Sequence, residues 1–132
     1  MNFQTISEAY RKTEKQSVNE HSSDYQIVAK IFDELIRSMN IYSSEVIKKD
    51  ADHNIKSEHF ARTLTILYTL QSSLDFEKGG EIAINLFKLY EYARQKVLED
   101  MRNQSNDGTK SAIHHLGEIR EAWHALAEKN DP

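Results

Sequence analysis

The chain is 132 residues long and carries 17 Lys and Arg against 21 Asp and Glu, a formal charge of −4. That length supports a single domain, 1–132, around one hydrophobic core, and the acidic balance gives no general attraction for nucleic acid or anionic lipid. The lack of cysteine excludes disulfides and thiolate chemistry, and a lone proline, Pro132, with four glycines excludes collagen-like, Pro-rich and turn-dense β architectures.

In chain order, Phe3, Ile6 and Tyr10 form a narrow apolar stripe over barely three turns, with Thr5 and Glu8 at capping-box spacing. A helix so short is marginal alone, and Arg11 to Ser22 is polar without apolar period. Residues 1–22 are therefore expected to be an arm and tether, with the bundle in 23–130. Ser23, three residues ahead of Gln26, is placed to cap a long helix. Along it Tyr25, Val28, Phe32, Leu35, Met39, Tyr42 and Val46 recur at alternating steps of three and four, an apolar seam for a helix of roughly 26 residues, about 39 Å. Lys48 and Lys49 are expected at its far end, where cations favour the helix dipole.

Asp50 to Asn54 reads as a connection, after which Phe60, Leu64, Leu67, Gln71 and Leu74 continue the helical spacing. A short connection implies antiparallel neighbours. From Gly80 to about Met101 a third helix carries two stripes: Ile82, Leu86, Leu89, Ala93, and Ala83, Phe87, Tyr90, Val97, Met101. That is wider than one neighbouring helix requires. Asn103 to Thr109 is polar, with a turn signal at Asp107-Gly108. Ala112, Leu116, Ile119, Trp123 and Leu126 then mark a fourth helix, in which truncating a fully buried Trp123 should cost about 3 to 5 kcal/mol. The expected fold is all-α: an antiparallel four-helix bundle with a short N-terminal helical arm.

Chemistry is sparse. Of six histidines, only His124 stands in a Glu-x-x-His pair, with Glu121, and a carboxylate-bridged metal bundle needs two such pairs plus further inward glutamates. His114 and His115 point about 100° apart on a helix and cannot chelate one ion together. Gly79-Gly80 beside Lys78 lacks the spacing of a phosphate-binding loop and reads as a cap and turn device. There is no Gly-x-Ser-x-Gly elbow. Arg11, Lys12 and Lys15 are the densest basic patch, interrupted by Glu14, and do not amount to a nucleic-acid stripe. No apolar run exceeds three residues, where a membrane span needs about 20 and a signal-peptide core at least about 7. No catalytic residue, cofactor or metal is assigned, and a soluble protein without export signal is expected. What stands out is apolar: the surplus width of the third helix and an arm too short to hold itself.

The string Leu74-Asp75-Phe76-Glu77-Lys78-Gly79-Gly80-Glu81-Ile82-Ala83-Ile84-Asn85-Leu86, followed by Leu89-Tyr90-Glu91-Tyr92, resembles the signature of the flagellin-specific export chaperone family FliS. Ile6-x-x-Ala9-Tyr10, Phe32-Asp33 with Ile36, and Arg120-Glu121-Ala122-Trp123 follow the family order, so the resemblance spans nearly the whole chain. Two departures stand out: Ser22-Ser23-Asp24 replaces the family's Ala-Ser-Pro, and Glu34 replaces a glycine. The resemblance implies a cytoplasmic helical bundle, not an enzyme, that binds the C-terminal segment of flagellin, prevents its premature polymerisation and assists delivery to the flagellar export apparatus, a form of type III secretion. It implies Ile6 and Tyr10 as arm contacts, and Ile82, Leu86, Leu89 and Tyr90 as partner contacts on the third helix. An exposed groove is also a surface through which two free copies can pair as a homodimer. The departures at Asp24 and Glu34 suggest an alternative, a regulatory adaptor that keeps the groove for a different helical client.

Overall fold

The computed structural model describes residues 24–129. The expected arm, with Ile6 and Tyr10, and the Ser23 cap lie outside them. Four helices follow in order: α1 (Asp24–Val46), α2 (His53–Ser72), α3 (Phe76–Asn103) and α4 (Asp107–Lys129), with no strand among the described residues. The helix α1 packs on α2 and α4, and α3 packs on the same two, so α1 and α3 sit on a diagonal of an antiparallel four-helix bundle.

At the centre is α1. Val28, Phe32, Leu35, Met39, Tyr42 and Val46 are buried as their spacing predicts, and Ile27, Ile31 and Ile36 are buried beside them. Two neighbours make its buried arc wide. The edge residue Tyr25 meets the Trp123 ring at a centroid distance of 6.0 Å. The helix spans 23 residues, shorter than its seam plus flanks implied, and ends at Val46. Lys48 and Lys49 therefore fall in the connection. Glu45 organises that connection, accepting from Lys48 Nζ at 2.8 Å and from the Asp52 backbone N–H at 3.1 Å, and these donors hold its carboxyl below the usual carboxylate range.

The helix α2 starts earlier than expected, because Asp52 caps it by accepting from the N–H groups of Asn54 and Ile55 at 3.0 and 3.1 Å. It stops at Ser72, so Leu74, expected to extend it, is buried from the following connection. His59 is a core histidine: it is buried with its Nδ1 3.2 Å from Ser38 Oγ.

The fourth helix begins at Asp107, so the Asp107-Gly108 pair opens a helix and is not a turn. The turn is made by Gln104 in the left-handed region, at φ 52° and ψ 44°. Buried Asp100 then serves as a remote cap, accepting from Thr109 N–H, Thr109 Oγ1 and Ser105 Oγ, each at 2.7 Å. Asn106 Nδ2 donates to the Ser43 carbonyl at 3.0 Å and ties this corner to α1. The α4 seam runs through buried Thr109, Ala112 and Leu116, then passes to Ala127, while Leu126 is exposed and Trp123 only partly buried.

Candidate partner-binding surface

The third helix is built in two pieces. Asp75 caps the first by accepting from the N–H groups of Glu77 and Lys78 at 3.0 and 3.1 Å, which starts α3 at Phe76 and not at Gly80. Gly80 then breaks the helix, with φ 51° and ψ −127°, a backbone conformation that essentially only glycine adopts. Gly79 faces a different constraint, since a Cβ there would sit 2.8 Å from Ala83 Cβ. The glycine pair is thus a turn and close-packing device.

Past Gly80, the inward residues are Ala83, Tyr90, Ala93, Val97 and Asp100, all buried, with Leu86 packed partly against the core. Their spacing alternates three and four only when Leu86 is included, so the true seam crosses both stripes read from the sequence. Phe87, assigned to one stripe, points outward. The apolar residues Ile82, Leu86, Leu89, Ala83, Phe87 and Ile84 together occupy roughly 220° of the helix at about 100° per residue. The core takes the middle of that arc.

Of the residues expected to contact a partner, Ile82 is 72% exposed, and Leu86 and Leu89 are half-buried against the core. Tyr90 is buried: its side chain is 0% exposed, with its ring 6.4 Å from that of Phe32, because its position falls on the inward seam. It does not face a partner in the closed bundle. Its hydroxyl has no hydrogen-bond partner among the described residues, and burial pushes its ionisation up.

Two exposed flanks frame the core stripe. Ile82 lies on one; Ile84 and Phe87 lie on the other, where the Phe76 ring meets that of Phe87 at a centroid distance of 5.9 Å, inclined at 60°. Tyr68 of α2 is 69% exposed and one turn from Gln71, whose amide donates to the Phe87 carbonyl at 3.4 Å and to Glu91 Oε2 at 3.1 Å. Arg94 pairs with both Glu91 oxygens. These donors, Arg94 foremost and Gln71 next, pull the Glu91 carboxyl down to about 2. The result is an apolar surface bordered by a polar brace that fixes α2 against α3. Sequence reading missed Phe76 and Tyr68; the signal available was an aromatic standing off the seam of each helix.

The Glu121-x-x-His124 pair lies elsewhere, in a shallow polar groove between α1 and α4. His124 Nε2 is 2.8 Å from Asp33 Oδ1 and Arg120 Nε is 3.8 Å from the same oxygen. Glu34, the departure on α1, is exposed on the side toward α2, beside Arg37 and Arg62, at 3.7 and 3.8 Å. Among the described residues no three His, Asp or Glu side chains are grouped to hold a metal ion. No described helix is long and apolar enough to cross a membrane.

The family model for flagellar protein FliS matches residues 6–130. The flagellar secretion chaperone FliS of Salmonella typhimurium is 27% identical over 92% of this chain and 89% of its own length. That of Vibrio cholerae is 25% identical over 88% of this chain and 84% of its own. The flagellar secretion chaperone FliSB of Pseudomonas aeruginosa is 36% identical over 50% of this chain and 52% of its own.

Proposed function

This chain belongs to the FliS family of flagellar proteins, and from that premise we propose that it is a flagellar secretion chaperone that binds the C-terminal segment of flagellin. In this reading it acts by burial alone, without catalysis or cofactor, in the cytoplasm, keeping its client from polymerising and passing it to the export apparatus. Supporting it are relatives that carry the name flagellar secretion chaperone over most of their length.

The observation that carries the reading to a surface is the outward apolar residues of α3. Ile82, Ile84 and Phe87 occupy positions that bundle packing leaves open, and an amphipathic helix with spare apolar width is the groove wall that a client helix requires. A disordered client pays its ordering entropy on binding, so a large apolar contact has to supply the surplus. Ile82, Leu86 and Leu89 are the proposed direct contacts, with Ile84, Phe87 and Phe76 added; Ile6 and Tyr10 are retained as proposed arm contacts. The Glu34 departure lies on the α1 and α2 surface among arginines, whereas the proposed contacts of the bundle lie on α3.

The test is substitution on the exposed flanks. Ile82→Glu and Phe87→Glu should each weaken capture of a C-terminal flagellin fragment by about tenfold or more while leaving the melting temperature near that of the parent chain, because both side chains already meet water. Unchanged capture by both variants would remove α3 as the client surface.

A further inference from the structure

Side-chain hydrogen bonds between α3 and the rest of the bundle are distributed unevenly. Among the described residues they fall on Phe87, through its carbonyl, and then on Glu91, Tyr92, Val97 and Asp100. The stretch from Glu81 to Leu86 has none. At its N-terminal side Gly80 interrupts the helix, so this stretch is not braced by a continuous backbone ladder from the capped turn before it. Its inward side chains are small or half-buried, Ala83 and Leu86, until the seam reaches Tyr90.

Tyr90 differs from the other large buried tyrosine in the core. Tyr42 is equally buried and donates to the Val97 carbonyl at 2.7 Å, whereas Tyr90 has no partner for its hydroxyl among the described residues. A phenol without a protein partner favours whichever arrangement gives it one, and an opened helix gives it water. We infer that Glu81–Tyr90 opens from the bundle as a local unit, giving up the one long bond it holds, from Gln71 to the Phe87 carbonyl at 3.4 Å, bounded by the Gly80 break and by the more densely bonded half of α3 that begins at Glu91, and that opening exposes Tyr90. Such opening would make Tyr90 available to a client, a link that rests on the function proposed above. The opening itself does not.

Native-state hydrogen exchange on the free, full-length chain tests this, because it needs no client and so fails independently of the client assignment. Amides of 81–90 should show protection at least about tenfold lower than those of 93–100. Tyr90→Phe removes the hydroxyl with little change of shape and should raise protection in 81–90 by about fivefold or more, leaving 93–100 unchanged. Tyr42→Phe should do the reverse, lowering protection in the second half. Equal protection along α3, or a Tyr90→Phe variant that alters both halves alike or loses protection, would overturn the inference.

Discussion

The hydroxyl of Tyr42 on α1 donates to the backbone carbonyl of Val97 on α3 across the diagonal of the bundle, at 2.7 Å and fully buried. This contact ties the axial register of two helices that otherwise meet through core side chains such as the Phe32 and Tyr90 rings. Burial and the nearby Asp100 charge both push the phenol ionisation up, so it remains a donor at any pH the protein meets. Tyr42→Phe should cost about 1 to 1.5 kcal/mol, the net worth of a buried neutral hydrogen bond. Denaturant titration of the pair of proteins measures it.

Gly80→Ala should destabilise by about 1 to 3 kcal/mol, since the residue sits at positive φ while nothing lies within 4 Å of an added Cβ. The cost is conformational and not steric. Gly79→Ala should also destabilise, through crowding against Ala83, and only this second loss should be relieved by Ala83→Gly. Thermal melts of the two single variants and the double variant separate the causes.

These two glycines also show where the sequence was readable. The α1 seam from Val28 to Val46 was legible because its large apolar residues repeat at three and four without a break, and the adjacent Ile27, Ile31 and Ile36 widen the same buried face. The α3 seam was not, because residues 82–84 and 86–87 are apolar on adjacent positions and two stripes fit equally well. Packing took neither whole: the buried seam crosses both and places small Ala83 and Ala93 against the neighbours. Helix starts at His53 and Phe76 were missed although Asp52 and Asp75 are of a residue type that caps helices; their side-chain bonds to following N–H groups mark them as caps. The candidate surface was half legible: the surplus width of α3 is visible in the sequence, but the contribution of Phe76 and Tyr68 depends on how α2 and α3 meet.

Asp100→Ala should be the most damaging polar substitution, at about 2 to 4 kcal/mol, because it strands the Thr109 N–H and hydroxyl inside the protein and removes the cap of α4. Asp100→Asn, which keeps one acceptor, should recover part of the loss. Far-ultraviolet circular dichroism through a urea titration would follow both.

Glu91 links stability to acid pH. Its folded-state pKa of about 2 lies below the ordinary 4.5, so its stabilising contribution is present above pH 4.5 and is lost as pH falls toward 2. The carboxylate is 30% exposed, and solvent screening reduces its contribution to about 1 kcal/mol or less. Glu91→Gln should therefore lower stability at pH 7 and leave it nearly unchanged at pH 2, a difference read from melts across that range.

The central claim is that this chain buries a flagellin segment against α3. Isothermal titration of the full chain with a C-terminal flagellin fragment from the same organism, beside an N-terminal fragment as control, tests it most directly. Saturable one-to-one binding of the C-terminal fragment alone, with a negative heat-capacity change from apolar burial, is the predicted result. A well-folded chain that gives no heat with the C-terminal fragment at any temperature across the series would contradict it.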